Sequence, residues 1–161
     1  RMDLSGFFDY PEGSLQPDHT ALVFLPELGE DGWKIILSAT QRRAFQSGEE
    51  VLHAGDTGRA LYILARGTME VVVPQERGRV LKIARLYEGA VFGEQAFLDG
   101  QARSATVRAL SDGEMHVLSL ESFEILAAHH PDLARTMLMD LGRILSLRLR
   151  QAMAMAVDGV R

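Results

Sequence analysis

The residues best suited to chemistry lie together in Phe92-Gly93-Glu94-Gln95-Ala96-Phe97-Leu98-Asp99-Gly100-Gln101-Ala102-Arg103-Ser104-Ala105-Thr106-Val107. Gly93 has no Cβ, so main chain there can approach a ligand closely. If Glu94 to Leu98 forms one short helix, the amides of Gly93, Glu94, Gln95 and Ala96 converge on one spot, as anion sites require. Arg103 offers a planar pair of donors suited to two phosphate oxygens. Ser104 and Ala105 are small enough for main chain to close around the anion. Glu94 would repel a phosphate but accepts hydrogen bonds from hydroxyls. One phosphate beside one hydroxyl matches a ribose cyclic phosphate. The competing interpretation is a solvated Glu and Arg, an exposed pair worth about 0–1 kcal/mol. The nine-residue gap from Glu94 to Arg103 and the Arg-Ser-Ala-Thr-Val ending favour the anion site.

Rigid elements must position such a site. Residues 1–17 carry Gly6, Pro11, Gly13 and Pro17 with little periodicity and read as an irregular lead-in. Residues 18–40 place apolar side chains at helical spacing, interrupted at Gly29 and Gly32, which predicts two short helices. From Ala44 to Leu120 short strands follow one another: Val51-Leu52, Leu61 to Ala65, Met69 to Val73, Val80 to Leu86, Val107 to Leu110 and Met115 to Leu120. Gly, Pro and Asp punctuate them at the spacing of an antiparallel sandwich or barrel. The helical period then returns. Ser122 to His129 forms one helix, and Pro131 opens another at its first turn. Leu133, Met137, Leu138, Leu141, Leu145 and Leu149 make its apolar stripe, to about Met153. The expected fold is mainly β, an antiparallel β-roll of jelly-roll type with short N-terminal helices and two C-terminal helices. One domain spans 18–156, and 157–161 is a tail.

Composition limits the function. The 161 residues are 47% hydrophobic and 24% charged, a single ordinary domain with no cysteine to form a disulfide or thiolate site. No run approaches the roughly 18 apolar residues of a membrane span. The formal charge of −5 disfavours a broad nucleic-acid surface. All but Lys34 and Lys82 of the 17 basic residues are Arg, so an arginine stands out only by its spacing. A cupin-like metalloenzyme would need converging histidines, and His19, His53, His116, His129 and His130 contain no His-x-His pair. No Gly-x-Ser-x-Gly, Walker loop or His-Glu-x-x-His is present. The expectation is no catalysis, no metal and no cofactor.

The Phe92–Val107 segment resembles the phosphate-binding cassette of cyclic-nucleotide-binding domains, which reads Phe-Gly-Glu-x-Ala-Leu, a short loop, then Pro-Arg-x-Ala-Thr-Val. Ser47-Gly48-Glu49-Glu50-Val51-Leu52, Gly55-Asp56 and Leu61-Tyr62-Ile63-Leu64 before Gly67 are similar to the same family, so the resemblance covers about residues 24–153. It implies that Glu94 accepts the ribose 2′-hydroxyl and Arg103 pairs with the exocyclic phosphate oxygens. It also implies that Gly93, Ala96, Ser104 and Ala105 line the phosphate, that Phe97 moves on binding, and that Phe123 is the hydrophobic hinge before the closing helix. Ala102 replaces the usual Pro, and Phe97 the usual Leu. The purine would lie against Val71, Val73 and Ile83, capped by Leu145, Arg148 and Leu149. In the family a Thr at position 104 accompanies cyclic GMP preference; Ser104 leans the choice weakly to cyclic AMP. A diverged roll that docks a protein without nucleotide is the alternative.

The resemblance thus implies cyclic AMP or cyclic GMP as the ligand and a relay to a fused or docked effector. The chain ends at Arg161 with no room for a following helix-turn-helix, so no nucleic-acid partner is expected. The Arg148-Leu149-Arg150-Gln151-Ala152 ending resembles domains appended to sulphate-permease-like transporters. That implies a transporter in the same polypeptide and a cytoplasmic or cytosolic-facing location. The long helix is expected to mediate a homodimer.

Overall fold

The computed structural model describes residues 19–159. The expected lead-in, 1–17, therefore lies outside the described residues. Two four-stranded antiparallel sheets enclose the roll. One contains β1 (Gln41–Phe45), β3 (Ala60–Arg66), β6 (Val91–Phe92) and β8 (Gly113–Ser119), in the order β1-β8-β3-β6. The other contains β2 (Glu50–Leu52), β4 (Met69–Pro74), β5 (Val80–Leu86) and β7 (Thr106–Ala109), in the order β2-β7-β4-β5. Strands adjacent in space are mostly distant in sequence, the jelly-roll pattern expected from the sequence.

Side-chain alternation builds the interior. Phe45, Leu64, Phe92 and Met115 from one sheet meet Leu52, Met69, Leu86 and Val107 from the other in one buried cluster. On the outer face Glu70 is only 3% exposed, because Arg108 bonds its carboxylate and Lys82 lies 3.9 Å away. Gly113, opposite Phe45 in the β1–β8 register, is a steric necessity: a Cβ there would fall 2.0 Å from the Arg66 carbonyl oxygen.

Two strands are absent from the sequence expectation. In β1, Gln41-Arg42-Arg43-Ala44-Phe45, only Phe45 is buried, so no apolar alternation marks this strand. β6 has two residues, too short for any period, and exists through pairing with Tyr62 and Ile63.

The helices cover the outer face of the β1-β8-β3-β6 sheet, where Leu61, Ile63, Val91 and Leu118 join their core. A 3-10 turn at His19–Leu22 precedes α1 (Glu30–Ser38). Gly29 caps α1, but Gly32 lies inside it and does not interrupt it; a Cβ there would meet the Leu28 side chain at 2.6 Å. The short α2 (Glu94–Asp99) follows β6. α3 (Leu120–His129) starts two residues earlier than expected, because Ser119 caps it by accepting from the Ser122 amide at 3.1 Å. α4 runs Pro131–Asp158, past Met153 and into the expected tail. Its Gln151-Ala-Met-Ala-Met-Ala sequence is strongly helix-forming and offers no stop before Gly159.

The α4 stripe is two faces rather than one. Ala134, Met137, Leu141 and Ile144 are buried, together with Phe24, Ile36, Leu61, Phe97, Phe123 and Leu126. Leu138 and Leu149 face outward, 42% and 61% exposed. Positions 138 and 149 fall about 20° apart at 3.6 residues per turn, at the margin of the buried face.

Gly113→Ala forces main chain apart at the centre of the β1-β8-β3 sheet. Overpacking of this kind costs about 1–3 kcal/mol, which for a chain of this size lowers the thermal midpoint by about 2–12 °C. Differential scanning calorimetry reads the shift; an unchanged midpoint would mean the strands separate without cost.

Candidate functional site

The site forms where β6 turns sharply into α2. Gly93 caps the helix in the left-handed region, φ 74°, ψ 10°, a conformation that L side chains avoid. Space excludes a side chain there as well: a Cβ would lie 2.8 Å from Arg103 Nη1, 3.0 Å from the Tyr62 ring and 3.1 Å from the Ala60 oxygen. The turn therefore requires glycine for its backbone angle and for the arginine packed against it.

Arg103 is 7% exposed. Its Nη1 donates to the Gly93 oxygen at 2.9 Å and its Nη2 to the Ala60 oxygen at 3.2 Å. The guanidinium carbon lies 5.7 Å from the centre of the Tyr62 ring, which itself stacks on Phe92 at 5.0 Å. Main-chain bonds fix the arginine's own backbone: its amide donates to Asp56 O and its carbonyl accepts from Gly55 N, both at 2.8 Å. Among the described residues no carboxylate lies within ion-pair distance of this guanidinium. Two main-chain carbonyls and an aromatic face orient a buried cation without neutralising it. Five N–H donors allow it to hold those carbonyls and still present others.

Glu94, the first residue of α2, is also 7% exposed. Its Oε1 pairs with Arg148 Nη1 of α4 at 2.9 Å, and Arg148 Nη2 donates to the Val91 oxygen at 2.7 Å. Arg148, expected over a purine, here ties the long helix to the carboxylate and to β6. Gln95 and Ser104, both exposed, join across the loop: Ser104 Oγ donates to Gln95 Oε1 at 2.5 Å. Ala96 is buried and Ala105 half-buried beside them.

Of the other candidates, Phe97 and Phe123 meet edge-to-face, centroids 5.4 Å apart at 82°. Both are buried, so α2 touches α3 through this pair. Val71 and Val73 share the inward face of β4 with Met69, and Val71 packs against the roll's interior cluster. Ile83 is the residue skipped where the β4–β5 register shifts from Val71↔Ala84 to Val72↔Lys82, so pairing does not fix its direction. Leu145 is half-buried. Leu149 does not join these residues; it sits on the outer face of α4 with Leu138.

The sequence does not mark Tyr62 or Arg59 as residues of the site. Tyr62 is an inward aromatic in a strand with an apolar pattern, and nothing local separates it from a core residue. Arg59 is one arginine among many, and only its partners, the Phe97 and Leu98 carbonyls, distinguish it. Among the described residues no three His, Asp or Glu side chains converge as a metal would need, and no helix is long and apolar enough to cross a membrane.

The sequence model of the cyclic nucleotide-binding domain matches residues 42–130. The cyclic AMP receptor protein of Thermus thermophilus is 34% identical over 118 residues, 73% of this chain and 53% of that protein. A putative potassium channel protein of Rhodopseudomonas palustris is 37% identical over 101 residues, 62% of this chain and 24% of the channel. The crystal structure of Thermus thermophilus catabolite activator protein superposes with a TM-score of 0.71 at 31% identity, covering 84% of this chain and 61% of that one. The chain spans about half the length of the curated regulators it matches.

Arg148→Met leaves the Glu94 carboxylate buried without its counter-charge, and Glu94→Gln removes the need for one. A double-mutant cycle on thermal or urea stability should give a coupling of about 0.5–3 kcal/mol between the two positions. Additive effects would show that the 2.9 Å pair contributes nothing in solution.

Proposed function

The chain belongs to the cyclic nucleotide-binding domain family, and we propose that it binds a cyclic nucleotide at Glu94 and Arg103 and relays binding through α3 and α4. The observation that carries this reading is the buried, pre-oriented Arg103 guanidinium, which no carboxylate neutralises among the described residues. Buried charges are stable only when paired. An anion bonded to its remaining donors supplies the missing charge.

In this reading Arg103 takes the exocyclic phosphate oxygens. The Gly93, Glu94, Gln95 and Ala96 amides at the start of α2 face the same anion, with Ser104 and Ala105 closing the loop. The Glu94 carboxylate takes the ribose 2′-hydroxyl. That hydroxyl competes with Arg148 for the carboxylate, so ligand binding and the docking of α4 share one group. The purine lies against Val71 and Val73, with Ile83, Leu145 and Arg148 at its edge; the outward position of Leu149 argues for leaving it out. Cyclic AMP is the favoured ligand over cyclic GMP, on Ser104 alone.

The relay is a shift between two populations. Movement of α2 displaces Phe97, Phe123 follows because their rings are in contact, and α3 carries α4 with it. No covalent step is needed, and the chain acts as a regulatory module rather than an enzyme. The effector is fused or docked at α4; a membrane transporter in the same polypeptide suits this role, with the module on the cytosolic side. The formal charge of −5 supports an effector other than nucleic acid. The outward Leu138 and Leu149 suit a second copy of α4, packed as in a two-helix seam.

Titration calorimetry with cyclic AMP and cyclic GMP side by side tests the site. Removing one partner of a buried charged hydrogen bond costs about 2–5 kcal/mol, so Arg103→Ala should weaken binding at least about 30-fold. Glu94→Ala should weaken it similarly and abolish discrimination against the 2′-deoxy analogue. Full affinity in either variant removes that residue from the site. For the dimer, sedimentation velocity should show two copies associating in the wild type and single chains in Leu138→Asp/Leu149→Asp. A wild type that remains monomeric with and without nucleotide would end the dimer proposal.

A further inference from the structure

Arg59 stands one residue before β3, far in sequence from the cassette, yet it grips the C-terminal end of α2. Its Nε and Nη2 donate to the Phe97 oxygen at 3.2 and 3.0 Å, and Nη2 also donates to the Leu98 oxygen at 3.1 Å. The guanidinium lies against Gly100, where a Cβ would come within 3.5 Å of it. Through its main chain the same residue reaches the other side of the fold: the Arg59 oxygen accepts from the amide of Leu120, the first residue of α3, at 3.1 Å. The adjacent Ala60 oxygen holds Arg103.

Each of these contacts has a physical reason. The last carbonyls of a helix have no partners within it, and a cation at a helix C-terminus complements their partial charge. α2 has no basic residue in its last turn, so a distant arginine supplies one. The planar fork of Arg holds two successive carbonyls, which the ammonium of Lys, a compact point charge, does not reproduce.

We propose that Arg59 is a positioning residue that couples the cassette helix to the hinge. Its side chain follows α2, its main chain holds the first amide of α3, and a displacement of one is felt by the other. Arg59 thus forms a polar link parallel to the apolar contact of Phe97 with Phe123. The inference rests on the nucleotide reading of Glu94 and Arg103 for what moves α2; the coupling itself belongs to the chain alone.

The test compares wild type, Arg59→Met, which keeps the apolar stem, and Arg59→Lys, which keeps the charge. Hydrogen exchange is followed across 94–100 and 120–129, with and without cyclic AMP at a concentration that saturates each protein. Arg59→Met should fold, bind cyclic AMP about tenfold more weakly, and at saturation show less than half of the wild-type exchange response across 120–129. Arg59→Lys should fall between the two. If Arg59 merely stabilised α2, the response at saturation would return to full size, and that result overturns the proposal. If the wild type takes up neither cyclic AMP nor cyclic GMP, the nucleotide reading fails separately. Arg59 is then judged on the ligand-free chain, where Arg59→Met must speed exchange at both Gly100 and Leu120. Acceleration confined to α2 overturns the coupling.

Discussion

The site depends on keeping one guanidinium buried. Arg103 is removed from water, and the surrounding backbone is arranged to hold it: carbonyls of Gly93 and Ala60 accept its hydrogen bonds, the Tyr62 ring lies beside it, and Gly55 and Asp56 fix its main chain. The left-handed turn at Gly93 brings one of those carbonyls into position and removes the Cβ that would otherwise occupy the arginine's place. Desolvating a cation without a counter-charge is costly, so the arrangement makes sense when an anion completes it.

A second buried charge connects the site to the rest of the molecule. Glu94 follows Gly93 directly, and its partner, Arg148, comes from the far end of the chain. The first turn of α2 is therefore in contact with α4 through an ion pair, while its middle is in contact with α3 through Phe97 and Phe123. A six-residue helix that bears both contacts cannot shift without affecting both C-terminal helices. α4 divides its side chains accordingly, with Met137, Leu141 and Ile144 held in the core and Leu138 and Leu149 left on the outer face. These contacts join the cassette to the helix whose outer face carries Leu138 and Leu149.

The same economy appears in the loop before β3. Gly58, Arg59 and Ala60 lie against the cassette and the hinge together: a Cβ on Gly58 would stand 3.6 Å from Arg103 Nη2, Arg59 caps α2, and Ala60 orients the guanidinium. Loops carry function when a rigid sheet aims them, and β3, paired with both β6 and β8, is that support.

The sequence by itself determined the elements whose signals are local. Met69 to Val73 declared itself by its β-branched run before Pro74 and Val80 to Leu86 by its alternation, and Pro131 marked the start of α4. The Gly93-Glu94 pair and Arg103 could be picked out because their spacing within one short segment reflects one compact piece of chain. Tertiary structure decided whatever depends on a distant partner. β1 is polar along most of its length and β6 is two residues long, so both are strands only because β8 and β3 supply their hydrogen bonds. Gly32 reads as a breaker until folding places it inside α1 with the Leu28 side chain packed on it. Leucines 138, 141, 145 and 149 belong to one apolar pattern in sequence, and only the docking of α4 assigns some to the core and others to the surface. Arg148 and Arg59 are two arginines among many until folding sets one on Glu94 and the other on the end of α2. A charge acquires its role from the group it meets, and that meeting is a property of the fold.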